Sequence, residues 1–520
     1  MKSSLSGSLK MHRSVLVCLI LCNACFAMHG LRAAVEPDRL FGDHAVLQQD
    51  VPVTVWGHAK PCEKVSVRFQ ENTVEGVADA SGHWQTQLPP LKTGSPGDLI
   101  FETAEGKKIS RDVVVGDVWL CAGQSNMEWT LVKLAPPQKD AAEASFPGIR
   151  QFKVAPLASE SPVGETKGEW VVCSPQTAGQ FTAIGFFVAR DFFRRNGHPQ
   201  GLINCSWGGT GIETWMSPEA LDSSKRKSVV ADRWKQVMDA YPASKVDYDQ
   251  KLAAWNEERK VSDAAGTVFS QKKPVPPAGP GDRNEPSGCF NAMMHPLIPC
   301  TVRAVLWYQG ETNWKYPEEY RNLLEALIWD WRLKWSAPHL PVVIVQLPGY
   351  GGDGMKSWPV IREAQSAVST LPNVALAVTM DLSSKEVHPL NKQGFGERLA
   401  VTIRKNIFGE ACIASGPKIV SAVSENGAMR VKVTNEGGPI VLRECENPQK
   451  VGAFEVAGVD RKFYPADARV ENSDIIVRSH LVPEPVALRY CWRESPDPVL
   501  FNAEGFPSPP FRTDDWADAK

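Results

Sequence analysis

Short apolar runs that stop at glycine or polar residues recur through the middle of the chain, at 118–122, 201–206, 304–308 and 374–380. Each is too short for a core helix and predicts a buried strand. Between them the apolar positions switch to helical spacing. Ile184, Phe187, Val188 and Phe192 share one face of a helix expected over 184–195, which Asn196-Gly197 would stop. Tyr320, Leu323, Leu324, Leu327 and Trp331 do the same over 318–334, and a further helix is expected over about 392–407. Strands alternating with helices predict an α/β region with a parallel sheet over 111–412.

The flanks read differently. Residues 35–110 alternate apolar and polar in short runs (51–56, 64–69, 84–88) broken by Gly and Pro, which predicts a small β-sandwich-like domain. From 413 to 520 the chain turns β-rich again. An insertion over about 219–287 interrupts the α/β region. In it Trp234, Val237, Met238 and Tyr241, then Tyr248, Leu252 and Trp255, predict two charged amphipathic helices, and 272–287 is a Pro/Gly-rich linker. A length of 520 residues suits about three domains, and no internal repeat is visible.

Composition adds a compartment and removes some partners. Lys2, Lys10 and Arg13 precede an apolar run over 15–27 that is too short for a membrane span, so 1–34 reads as a signal peptide with cleavage near Ala27 or Ala34. Export to the periplasm or outside the cell follows, and no later stretch reaches transmembrane length. A formal net charge of −2 gives no reason to expect nucleic acid or an anionic membrane as partner. Twelve cysteines, of which Cys18, Cys22 and Cys25 lie in the leader, leave an odd number. At least one thiol is therefore unpaired, and Cys289–Cys300 and Cys445–Cys491 are the candidate disulfides. Cys121 and Cys205 fall on core strands and read as buried hydrophobes. No Cys or His spacing suggests a metal site, and no cofactor is implied. Seventeen tryptophans could serve carbohydrate stacking or the core, and the core has the edge.

The candidate chemistry sits where the apolar strands end. Ser125 follows Gly123 just past the 118–122 strand, flanked by the amides Gln124 and Asn126; open α/β sheets place their chemistry at such strand ends. A helix N-cap is the plainer role for such a serine. Gly208 and Gly209 leave bare backbone after the second strand. Gln309, Gly310, Glu311 and Asn313 follow the third, although Asn313 could merely cap a helix. An alcohol nucleophile needs a base near neutral pKa, which histidine supplies. Of ten histidines, His388 follows the fourth strand and precedes Pro389, which holds its backbone extended. His295 is the rival, in a context that reads as packing.

In their order, Gly-Gln-Ser-Asn-Met (123–127), Trp-Gly-Gly-Thr (207–210), Trp-Tyr-Gln-Gly-Glu-Thr-Asn (307–313) and His-Pro-Leu-Asn-Lys (388–392) resemble the blocks of the SGNH (GDSL) hydrolase superfamily. Within it the chain resembles the sialate O-acetylesterase family and its carbohydrate acetylesterase relatives, over nearly the whole mature length. The resemblance implies an SGNH three-layer α/β/α catalytic domain with β-rich domains on either side. It implies Ser125 as nucleophile, His388 as base, and an oxyanion hole from the Ser125 N–H, a glycine N–H (Gly209 before Gly208) and the Asn313 amide. Gln124, Asn126 and Gln309 are the candidate substrate contacts.

The superfamily block has an aspartate three residues before the histidine, and here that position is Lys385. Glu311 and Glu386 remain as carboxylates to orient His388, the first by likeness to carbohydrate esterase family 6; Asp381 would hold the loop. The expected activity is hydrolysis of O-acetyl esters on carbohydrate, sialate first, with xylan or another acetylated polysaccharide as alternative. A degenerate, carbohydrate-binding protein is the reading from another class.

Overall fold

The strand over Gly106–Gly123 (β1) is the spine of the molecule. In the computed structural model, which describes residues 35–134, 139–142, 144–351, 357–384, 386–444 and 453–516, its first half pairs with the N-terminal strands and its second half lies in the central sheet. Residues 1–34, read above as a signal peptide, Lys385 and Cys445 lie outside the described residues.

The central sheet continues with β2 (Phe146–Lys153), β3 (Trp170–Cys173), β4 (Gln200–Ser206), β5 (Ala304–Tyr308), β6 (Val342–Val345) and β7 (Val374–Ala377), in the order β3-β2-β4-β1-β5-β6-β7. All neighbours are parallel except the β2–β3 edge pair. Every residue of β4, β5 and β6 is buried, as expected for strands covered on both faces.

The covering helices follow the sequence periodicity closely. Helix α1 (Ala183–Asn196) buries Ile184, Phe187, Val188 and Phe192 and stops at Gly197, whose φ of 72° is left-handed. The insertion supplies α2 (Lys227–Ala264). Helix α3 (Pro317–Lys334) opens on a proline, where the missing N–H costs nothing. Next come α4 (Trp358–Val368) and α5 (Lys392–Asn406), the latter capped by Asn391, whose Oδ1 accepts from the Gly394 N–H at 3.0 Å. Helix α1 packs on α5, and α3 on α4.

Two expectations need correction. The stretch of the insertion from Trp234 to Trp255 lies on one helix of 38 residues, not two. Pro242 lies inside it without ending it, because the helix is exposed and water can take the carbonyl that the proline leaves unbonded. Only Val230 of α2 is buried; the returning segment braces the helix through Trp255 Nε1 on the Gln271 carbonyl at 3.0 Å and Tyr241 against Gly279. Second, Cys289 and Cys300 are separate thiols. Burial pushes each up to about 12, which leaves them protonated and inert. Cys121 and Cys205 are fully buried on β1 and β4.

The N-terminal region pairs strands Val35–Pro37, Val53–Ala59 and His83–Leu88 in a three-stranded sheet, while Lys64–Phe69, Asn72–Val77 and Gly97–Thr103 extend the β1 sheet. The last segment of the chain builds a separate seven-stranded antiparallel sheet around its own core, which includes Met429, Val431, Phe454, Val477 and Tyr490.

Candidate active site

Gly123, the last residue of β1, pairs with Ser206 on one side and Tyr308 on the other, so three strands end at one level. Its φ of 133° and the Tyr308 carbonyl, which an added Cβ would meet at 2.1 Å, admit only glycine. The Gln124 N–H donates to the same carbonyl at 3.0 Å. Ser125 then begins a one-turn helix, Ser125–Glu128, at the mouth of a cavity of about 930 Å³.

His388 reaches that serine from the loop after β7. Its Nε2 lies 2.8 Å from Ser125 Oγ, a hydrogen bond across 263 positions of sequence. The Trp129 ring stacks on the imidazole, with centroids 4.5 Å apart and planes 27° apart. Burial, then the ammonium groups of Lys392 and Lys133, hold the His388 pKa below its ordinary value, against an opposing pull from Glu386. Asp381 does not face the imidazole; it forms a two-pronged pair with Arg398 at 2.7 and 3.1 Å and so anchors the loop.

Neither candidate carboxylate hydrogen-bonds the imidazole among the described residues. Glu386 is exposed, and its backbone N–H is held by Ser384 Oγ. Glu311 is buried, and burial pushes its pKa up while Asn126 and Lys392 pull it down. Its Oε1 accepts from Asn126 Nδ2 at 2.5 Å, and the same amide donates to the Val387 carbonyl at 2.9 Å. Glu311 thus reaches the histidine loop through Asn126.

The loop after β4 faces Ser125. The Gly208 N–H is spent on Glu128 Oε2 at 2.7 Å, whereas the Gly209 N–H has no partner among the described residues. Gly209 takes a φ of 78°, and the peptide carbonyls of Gly208 and Gly209 are held by Arg283 Nη1 at 2.8 Å and Asn284 Nδ2 at 3.0 Å. Asn313 Oδ1 accepts from the Ile212 N–H and from Gln309, and its Nδ2 donates to Glu213 at 2.9 Å. That fixes the amide and leaves its second hydrogen for the cavity, which Ser125, Gly209, Asn313, Glu311 and His388 all line.

The amides read as substrate contacts all have hydrogen-bond partners inside the protein, Gln124 through its oxygen alone. Gln124 lines the cavity, but its Oε1 accepts from the Thr312 N–H at 3.2 Å. Gln309 and Asn126 are buried, the former bonded to Asn313 and the Thr210 carbonyl, the latter to Glu311, Val387 and Lys392. The far walls of the cavity come from α2 (Val230, Arg233, Trp234, Val237) and from Trp314, Tyr316 and Trp358. Sequence reading passed over Trp129, Glu128, Arg283, Asn284 and Lys392. Lys392 closes the His-Pro-Leu-Asn-Lys block but was given no role; the others carry no local signal, since each acts on a residue distant in sequence or, for Trp129, is one of seventeen tryptophans.

Residues 289–404, which include Glu311, Asn313 and His388, match the family model described as carbohydrate esterase, sialic acid-specific acetylesterase. The sialate O-acetylesterases of Rattus norvegicus and Mus musculus are 28% and 27% identical, each across 90% of this chain and 92% of their own length. A crystal structure of a carbohydrate acetylesterase from Xanthomonas citri aligns with a TM-score of 0.77 at 33% identity, over 93% of this chain and all of that one.

Proposed function

The chain belongs to the sialate O-acetylesterase family of carbohydrate acetylesterases, and from that premise we propose that it removes O-acetyl groups from carbohydrate by serine catalysis. The observation that carries the serine mechanism is the 2.8 Å contact between His388 Nε2 and Ser125 Oγ at the rim of the cavity.

Ser125 Oγ attacks the acetyl carbonyl as its proton passes to His388 Nε2. The oxyanion is taken by the N–H groups of Ser125 and Gly209 and by Asn313 Nδ2; one such donor is worth about 3–4 kcal/mol. Collapse breaks the bond to the sugar oxygen, which leaves with the proton that His388 took from Ser125. Water, activated by the same imidazole, then hydrolyses the acetyl-serine and frees acetate. Glu311 is the carboxylate that orients the base, through Asn126 and the Val387 carbonyl, and Glu386 is the alternative. The parallel sheet, with α1 against α5 and α3 against α4, supports the SGNH three-layer reading of 111–412. The domain limits at 110 and 412, and export directed by 1–34, belong to the same reading.

For the sugar, O-acetylated sialate comes first, by likeness to the curated relatives. A polysaccharide such as acetylated xylan is second, favoured by a cavity with room beyond one sugar and aromatic walls at Trp234, Trp314 and Trp358. Ser125→Ala should lower acetyl-ester hydrolysis by at least ~10³ with the fold intact, and a serine-directed organophosphonate should label Ser125 stoichiometrically. Unchanged turnover by that variant would remove the mechanism. Glycan binding without labelling would point instead to a degenerate binding protein.

A further inference from the structure

Lys392 is fully buried at the start of α5, and the reaction above makes no use of it. Its Nζ donates to Asn126 Oδ1 and lies 5.6 and 5.4 Å from the ring centres of Tyr308 and Phe395. A buried ammonium needs an opposite charge close by. Glu311 supplies it from the far side of the Asn126 amide, which bonds Glu311 Oε1, while Glu311 Oε2 has no hydrogen-bond partner among the described residues. A donor on one end of the amide and acceptors on the other leave Asn126 a single orientation. Asn126 follows Ser125 in the chain and holds the carbonyl of Val387, which precedes His388. One carboxamide therefore ties the nucleophile's turn to the base's loop.

We propose that Lys392 is a positioning residue for this esterase, acting through Asn126 and Glu311 to lock the turn of Ser125 against the loop of His388. The inference rests on the serine esterase reading above. The ammonium also acts on the imidazole by charge. The titratable groups facing His388 are Ser125, Lys133, Glu386 and Lys392; those facing Lys392 are Glu311 and Tyr308. Burial pushes Lys392 down to about 7, with Glu311 pulling it up, and its positive charge disfavours protonated His388. Removing that charge lets His388 protonate at higher pH.

The test compares Lys392→Met and Lys392→Gln with wild type and Ser125→Ala, using nitrophenyl acetate for kcat, KM and the pH profile, and circular dichroism for the fold. Both lysine variants should lose at least ~10-fold in kcat with KM within about threefold. In both, the acid limb of the profile should rise by about half a pH unit or more. The glutamine variant keeps a donor for Asn126 Oδ1 and should retain more kcat than the methionine variant. A folded variant with the wild-type limb, or with wild-type kcat, overturns the proposal. If neither single variant folds, Lys392→Met combined with Glu311→Gln removes both buried charges together and must show the same rise; a wild-type limb there also overturns it. Full activity in Ser125→Ala would instead sink the esterase reading itself.

Discussion

The working range of His388 is set by its surroundings. Burial and the ammonium groups of Lys392 and Lys133 all disfavour the imidazolium, so its pKa lies below the ordinary value of about 6.5. As the proposed base, His388 must be neutral to take the serine proton. Activity should therefore fall as pH drops through that lowered value, and the acid limb of kcat/KM should centre below about 6.5. A limb centred above 7 would show that the outer carboxylate, Glu386, outweighs burial. The two candidate carboxylates separate in the same assay. Glu311→Gln keeps the shape but removes the charge from a buried network, and should cost roughly 10²–10⁴ in kcat by analogy with a mis-set histidine. Glu386→Gln removes an exposed charge and should stay within a few-fold. Equal large losses would divide the orienting role between them, and a loss in neither would show that neither carboxylate orients His388.

At the scale of elements, the loop after β4 that carries Gly209 is held from outside its own segment. Arg283 and Asn284, at the end of the insertion, grip the two carbonyls that flank the Gly209 N–H, and Asn284 Oδ1 accepts from the Gly211 N–H at 2.8 Å. The insertion thus does two things: its helix walls the cavity, and its return aims a backbone donor. Replacing Arg283 and Asn284 together by alanine should lower kcat roughly 10-fold, less than losing a donor outright, because the loop would be loosened rather than emptied. Steady-state kinetics on the double variant check this, and an unchanged kcat would mean that the turn at Gly209 holds itself. Helix α2 shows how far local pattern carries. Its apolar positions fade around Pro242, which suggests two helices, yet pairs such as Lys235–Asp239 and Lys245–Asp249 sustain a single exposed one.

Across the whole molecule, β1 makes the N-terminal strands and the central sheet one continuous structure, and buried Asp117 reinforces the join. It accepts from Arg303 Nε at 2.7 Å and from Gln49 Nε2 at 3.0 Å, linking the strand to both flanks. The cavity opens at the other end of that strand. Close to Ser125 the space is tight, since a Cβ on Gly208 would lie 3.2 Å from the Ser125 Cβ, and α2 lines another part of the same cavity. Crowding at the acyl end of the ester predicts acetate cleaved faster than butyrate, with the preference set by a wall rather than by the ~1–3 kcal/mol of one methylene, and leaves the sugar at the alcohol end to the rest of the cavity. Nitrophenyl acetate and butyrate, tested beside 9-O-acetylated sialic acid and acetylated xylan, check both ends. Faster butyrate cleavage would overturn the acetyl preference, and xylan activity without sialate activity would move the substrate to the polysaccharide.

Strand runs, helix faces and the glycines at strand ends were legible because each depends on residues adjacent in the chain. Periodicity placed α1, α3 and α5 to within a residue or two, and the motif blocks singled out Ser125, His388, Gly209 and Asn313. What no single stretch could encode is pairing across the sheet. That Asn126 serves Glu311 and Lys392 rather than a substrate, that Asp381 belongs to Arg398, and that Glu128 occupies Gly208 and leaves Gly209 open are facts about side chains brought together from far along the chain. Local sequence determines which chemistry is on offer at each strand end. Burial and hydrogen-bond satisfaction, which exist only once the strands are side by side, decide which groups remain free to use it.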